Sequence, residues 1–201
     1  MKVFTISSDY NFGANTYLIE SGGEYAIVDP GASIERVKSK HNFDLNKLKY
    51  IILTHAHFDH ILFIDDWANK TNAEVYASKN GAVALRDSSK NLYLQFLRLD
   101  NGYYGRVSTV SNGDTLMLGE TALKIYSSPG HTECSIIISA ENALFVGDTA
   151  FEGDSVSRYD LPGGNLEKLK ESVEKIRSFP AGTIVYPGHG PETESSKIKR
   201  L

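Results

Sequence analysis

The chain has 201 residues, 41% apolar and 23% charged, a globular composition that excludes a mainly disordered chain and suffices for one domain over residues 1–201. Its formal net charge of -4 gives nucleic acid and anionic membranes no electrostatic hold, so neither is expected as a partner. A single cysteine, Cys134, rules out an intramolecular disulfide and fits a cytoplasmic chain. The first twenty residues are too polar for a signal peptide, and no run approaches the ~20 apolar residues of a membrane span.

Residues 2–8 alternate and are rich in strand formers. TYLIE (16–20) and EYAIVD (24–29) flank SGG, a hairpin signal. Ser33 can cap a short helix, SIERVKSKH, with apolar residues at 34 and 37. KYIIL (49–53) is a continuous apolar run and reads as a strand buried on both faces. Beyond it, HILFIDDWANKT has helical spacing at Ile61, Ile64 and Ala68. AEVYAS (73–78) reads as a strand and NGAVALRD as a short helix. Residues 88–107, rich in Leu and Tyr, read as a helix or a lid-like excursion.

The second half returns to strands: DTLML, ALKIYS, and a hairpin of CSIIIS and ALFVGD around AEN. Residues 165–178 form the clearest helix, with a stripe at 166, 169, 173 and 176, and GTIVYPG forms a last strand. The tail PETESSKIKRL reads as polar and solvent-facing. The hairpin ending in Asp29 resembles the hairpin ending in Asp148. The pattern predicts a duplicated plan of strands then helices: an α/β fold with two sheets face to face and helices outside.

Three of the six histidines stand with an aspartate inside THAHFDH (54–60), directly after KYIIL. His131 follows KIYSSPG, Asp148 follows ALFVG, and His189 follows TIVYPG. Each of these polar groups lies just past an apolar strand, so strands ending on one edge would gather them in one cleft. Only His41 lacks that setting. A divalent metal neutralises such a cluster, and imidazole and carboxylate ligands suit Zn²⁺, with Fe or Mn as alternatives. His55 and His57, two apart on extended backbone, point the same way, while Asp59 and His60 turn towards a neighbouring position. The spacing can therefore serve two metals. Asp29, in VDPG, reads either as a turn residue bonding its own backbone or as a support for a ligand. Tyr103 and Tyr104 read as loop residues or as substrate contacts, and Cys134 as a small buried hydrophobe.

THAHFDH, followed in order by GHT (130–132), GDT (147–149) and PGHG (187–190), resembles the metallo-β-lactamase superfamily over nearly the whole chain. The resemblance implies an αββα sandwich of two mixed sheets. It also implies two divalent metal ions: His55, His57 and His131 on the first, Asp59, His60 and His189 on the second, and Asp148 bridging both around a water or hydroxide. TAFEGDSVSRYDLPGGN is similar to a segment of small glyoxalase II-like hydrolases, with Arg158 and Asp160 in the matching places. That similarity implies hydrolysis of a small thioester or ester with Asp59 and Asp148 as catalytic groups. Arg158 and Tyr104 are then candidate substrate contacts. The sequence departs from the pattern at Phe63, where the family has Gly nearby, and at Ser157 and Tyr159. The implied alternatives are an iron persulfide dioxygenase, using His55, His131 and Asp148, and another hydrolase such as a lactonase. The expected partner is a small molecule, and the expected state a monomer or homodimer.

Overall fold

Alternating and continuous runs of Val, Ile and Leu produce twelve strands in two sheets among the described residues. The computed structural model describes residues 1–153 and 155–201. The first sheet has the order β1 (Lys2–Ile6), β2 (Thr16–Ser21), β3 (Glu24–Val28), β4 (Leu48–Ile52), β5 (Glu74–Ser78), β6 (Ser108–Val110). The second comprises β7 (Thr115–Leu118), β8 (Thr121–Ser127), β9 (Ile136–Ala140), β10 (Ala143–Gly147), β11 (Ile184–Pro187) and β12 (Thr193–Glu194), and its spatial order follows the chain order. Both sheets are mixed: β1–β3 and β7–β10 run antiparallel, whereas β3–β6 and the β10–β11 pair run parallel.

Period-two alternation decides which residues fill which layer. Ile19, Val28 and Ile52 of the first sheet meet Leu123, Ile138 and Phe145 of the second in a buried inter-sheet core. The opposite face of the first sheet, with Leu18, Ile27 and Ile51, carries α1 (Ile34–Lys40), α2 (Ile64–Lys70) and α3 (Lys79–Ala84). The outer face of the second, with Ile137, Leu144 and Val185, carries α4 (Leu166–Arg177) through Leu169, Val173 and Ile176. The layers are therefore αββα, as the duplicated pattern and the resemblance predict. Ser33 caps α1 by accepting from the Arg36 N–H, and Asn165 caps α4 by accepting from the Lys168 N–H.

The two hairpins repeat down to their tight ends. Gly22 and Gly23 take positive φ in the first turn, and Glu141 takes φ 52° in the second. At the far end of each hairpin the chain again turns left-handed, at Asp29 (φ 53°) and at Gly147 (φ 51°). Counted from the pairs that flank the turns, Ser21–Glu24 and Ala140–Ala143, Asp29 matches Asp148, and the left-handed residue falls on the aspartate in the first hairpin and one residue before it in the second.

Three readings change. The helix expected from position 61 begins at Ile64, because residues 58–60 form a 3₁₀ turn that sends the His60 ring inward, and Trp67, fully buried, anchors the helix by donating to Ala32 O at 2.9 Å. The tail is only partly solvent-facing: Lys197, Lys199 and Arg200 are exposed, but β12 adds an edge strand to β11, and Ile198, 2% exposed, closes the α4 core with its carbonyl held by the Arg177 guanidinium. Within 88–107 the chain forms a π-helical turn, Tyr93–Leu97, bounded by left-handed Leu92 and Arg98. No helix among the described residues is long and apolar enough to cross a membrane.

Candidate metal centre

Strands β8, β10 and β11 run in one direction, so their C-terminal ends share an edge, and β4 of the other sheet ends beside them. The segment after β4 supplies His55, His57, Asp59 and His60; the turns after β8, β10 and β11 supply His131, Asp148 and His189. The two sheets are tied at this edge by the Ile136 N–H bond to Thr54 O at 2.8 Å, and β10 and β11 by the Gly188 N–H bond to Gly147 O at 2.8 Å. Close approach explains the glycines here. A Cβ on Gly188 would stand 2.1 Å from Asp148 Oδ1, and one on Gly147 would stand 2.3 Å from Thr54 Oγ1.

Two groups of ligand-type atoms result, His55–His57–His131 and Asp59–His60–His189, each with its atoms within 4.8 Å of one another. Asp148 lies between them: Oδ1 is 3.3 Å from His60 Nε2, and Oδ2 is 3.7 Å from His131 Nε2 and 3.6 Å from His189 Nε2. Asp59 Oδ2 stands 3.0 Å from His189 Nε2. His55 Nε2, His57 Nε2, His60 Nε2 and Asp148 Oδ1 are buried without a hydrogen-bond partner. Buried polar atoms are otherwise almost always satisfied, so four orphans on residues of one histidine–aspartate cluster fit divalent cations.

The rings are oriented from behind. Asp29 accepts from the Thr54 N–H at 2.7 Å and from the Thr54 hydroxyl at 2.6 Å, and its Oδ2 takes His60 Nδ1–H at 2.8 Å. With its hydrogen given to Asp29, Thr54 Oγ1 accepts from His55 Nδ1, 3.1 Å away. His131 Nδ1 donates to Arg158 O at 2.8 Å. Each of these ring contacts puts a hydrogen on Nδ1 and reserves Nε2 as the atom a metal would take from the neutral ring; in the metal-free protein His131 Nε2 faces His57 Nδ1 at 3.0 Å. Asp29 is therefore close enough to join His55 and His60 in a third cluster, yet both its oxygens are already engaged. Thr54 and Asp29 form the support that the sequence left open between a turn and a ligand-orienting role.

The two groups differ in charge. Burial holds His55 and His131 below the usual imidazole range and takes His57 down to about 3. Burial opposes charge on His60 too, but the Asp148, Asp29 and Asp59 carboxylates outweigh it and hold His60 well above that range. His189 is raised as well, burial being overcome by its bond to Asp59 and by Asp148. Asp148 and Asp59 are lowered despite burial, chiefly by His60. The metal-free protein thus offers a three-histidine group biased towards neutral imidazoles and an Asp–His–His group biased towards holding protons on its histidines. Metal must displace a proton only from the second, and a raised pKa means that this competition is lost as pH falls. We expect the first equivalent of metal to bind with little pH dependence between pH 6 and 8. The second should weaken about tenfold per pH unit for each proton displaced, and release those protons on binding. Metal titrations at pH 6, 7 and 8 in weak buffer check this, and equal pH dependence of both equivalents would refute it.

The other expected residues fall as follows. Arg158 lines a cavity of about 290 Å³ in front of the cluster, together with His57, Asp59, His131, Asp148 and His189. Its side chain is closed on Asp160 through two bonds, at 2.9 and 2.7 Å. Tyr104 is not brought there: it is 65% exposed and outside the lining, whereas Tyr103 is buried. Phe63 also faces elsewhere, stacked with Tyr10 at 6.2 Å. Ser157 is buried and donates to Asp148 O. The sequence reading passed over the apolar wall of the cavity, because Phe12, Phe96 and Val156 come from segments with no periodic pattern. His41 stacks against Phe4 at 4.0 Å and belongs to none of the clusters. His41→Ala should therefore leave metal content unchanged and shift stability by only about 0.5–1 kcal/mol, measured by elemental analysis and thermal unfolding.

Comparison with known proteins agrees with this geometry. A family model described as the metallo-beta-lactamase superfamily matches residues 9–189. The chain is 33% identical to the probable metallo-hydrolase YqgX of Bacillus subtilis, over 90% of this chain and 87% of that protein. Among solved structures it is similar to the BLEG-1 B3 metallo-beta-lactamase, with 28% identity, a TM-score of 0.88, and coverage of 98% of this chain and 95% of that one. It is also similar to TTHA1623 in a di-iron-bound form, with 27% identity, a TM-score of 0.81, and coverage of 95% and 94%.

Proposed function

The chain belongs to the metallo-beta-lactamase superfamily, and from that premise we propose that it hydrolyses a thioester or related ester at a two-metal centre. His55, His57 and His131 would hold one ion and Asp59, His60 and His189 the other, with Asp148 shared. The observation that carries this reading is the meeting of two ligand groups at one carboxylate, with four buried polar atoms left unpartnered. Two divalent ions, zinc in the first instance with iron or manganese as alternatives, would supply a water acidified to a pKa of about 7 and a Lewis acid for the substrate carbonyl.

The chain's own groups do the rest. The Asp59 carboxylate, 3.0 Å from His189 and facing the cavity, would hold the hydrogen of the attacking water and aim its lone pair at the carbonyl carbon. Asp29, Thr54 and the Arg158 carbonyl keep three imidazoles in one tautomer throughout. The apolar wall keeps bulk water from the reacting carbonyl. What the cavity lacks among the described residues is a separate proton donor. Every titratable group in its lining is a proposed ligand or the paired Arg158. A thiolate, with a parent pKa near 8.5, can leave without a proton, whereas an amide nitrogen cannot, and this favours a thioester.

The test is metal content per chain in protein purified without chelator or added metal, followed by thiol release from simple thioesters. About two metals and turnover are expected. One iron per chain, with oxygen uptake on a persulfide, would replace the reading with an iron dioxygenase held by His55, His131 and Asp148.

A further inference from the structure

The wall that faces the carboxylates is built of hydrocarbon. Phe96 stacks with Phe58 at 5.7 Å, and Phe58 meets Phe12 at 5.9 Å, so three rings form a continuous row in the cavity lining with the buried Phe58 at its centre. Phe151 and Val156 add to the apolar lining. Phe12, Phe96 and Val156 are 49%, 48% and 48% exposed, and large side chains left open around a cavity mark a surface that takes an apolar ligand.

Phe96 is held there by a specific mounting. It rides on the Tyr93–Leu97 turn, whose flanking Leu92 and Arg98 both adopt left-handed backbone, a conformation that non-glycine residues keep only where the surroundings impose it. The fully buried Asn91 imposes it here. Its amide donates to Leu85 O at 3.3 Å and to Asn101 O at 3.0 Å, and its oxygen accepts from the Tyr93 N–H at 3.0 Å.

Charge points the same way. The only Lys or Arg in the lining, among the described residues, is Arg158, and its guanidinium is neutralised by Asp160. Glu152 borders the adjoining groove beyond His189. Among the described residues an anionic substrate tail would meet no Lys or Arg in the lining beyond the paired Arg158, and Glu152 in the adjoining groove.

We propose that the centre selects neutral substrates carrying an extended apolar group, seated along Phe12, Phe58 and Phe96, and discriminates against anionic thiol conjugates such as those of glutathione. This rests on the thioester or ester reading above and names the substrate class for it.

The experiment uses the protein with its metals bound and two matched sets of thioesters. In the first, N-acetylcysteamine carries acetyl, butanoyl, hexanoyl and octanoyl groups. In the second, the lactoyl thioester of N-acetylcysteamine is set against that of glutathione. We expect kcat/KM to rise about two- to fourfold per added methylene, mainly through KM, until the wall is covered. The lactoyl thioester of glutathione should be no better than its neutral counterpart. Phe96→Ala should flatten the chain-length dependence, while Leu94→Ala, on the same turn but outside the cavity, should keep both acetyl turnover and the dependence intact. Calorimetric binding of the S-octyl thioethers of N-acetylcysteamine and of glutathione separates the two readings. If no thioester is turned over but the neutral thioether binds more tightly and loses affinity in Phe96→Ala, the hydrolase reading fails and the apolar site stands. A flat chain-length series, or preference for the glutathione member in either assay, overturns the apolar site.

Discussion

Asp148→Ala should leave a folded protein that holds neither metal tightly. The carboxylate lies within 4 Å of both ligand clusters, through His60 and His189 on one side and through His131 on the other. Its removal subtracts a negative charge from the centre and one ligand from each proposed ion. A residue that merely supports a metal ligand already accounts for about 10–100-fold in affinity or rate, so a shared ligand should exceed about 100-fold in turnover. The fold should survive, because the Asp148 backbone carbonyl still accepts from Ser157 and the side chain is engaged only with the site. Metal content falling well below one per chain, with an unchanged circular dichroism spectrum, is the expected pair of results. Full turnover with two metals retained would remove Asp148 from the centre and with it the two-metal arrangement.

The centre was legible in the sequence because its residues follow apolar strands, and a strand's end is where periodicity stops and polar groups begin. His55, His57, Asp59, His60, His131, Asp148 and His189 all obey that rule, and the parallel runs of β8, β10 and β11, with β4 of the other sheet ending beside them, bring four separate segments to one edge. What was not legible lacks local periodicity. The Tyr93–Leu97 turn depends on Asn91 reaching Leu85 and Asn101, contacts that no spacing rule reveals. Tyr104, flanked by Gly105, points to solvent, while Phe96 enters the cavity. Ile198 looked like a lone apolar residue in a polar tail, and only the exposed end of the α4 core explains its burial. The 3₁₀ turn at 58–60 consumes the first residues of an expected helix, because presenting both Asp59 and His60 to one ion is incompatible with helical spacing of their side chains.

Asp29→Asn should weaken the Asp59–His60–His189 half of the centre selectively. The wild-type carboxylate has no hydrogens, so every neighbour donates to it: the Thr54 N–H, the Thr54 hydroxyl and His60 Nδ1–H. Asparagine keeps the shape and tolerates the left-handed backbone at φ 53°, so the tight turn after β3 survives. Its oxygen can still accept from the Thr54 N–H, but its amide then faces His60 as a donor. Two donors cannot share one bond, and the imidazole answers by moving its hydrogen from Nδ1 to Nε2. That places a hydrogen on the atom aimed at Asp148 and removes the lone pair a metal would use. The loss of the Asp29 charge also lets burial pull the His60 pKa down, so the change acts through the tautomer rather than through added charge. The Thr54 hydroxyl can turn to accept from the new amide, and its bond with His55 is then the only disturbance to the other half. About 10–100-fold weaker binding of the second equivalent is expected, with the first equivalent nearly unaffected and thermal stability close to wild type. Titration of the variant with one metal, read as two resolved binding steps, checks this. Equal weakening of both steps would mean that Asp29 supports the whole edge through Thr54 rather than orienting His60.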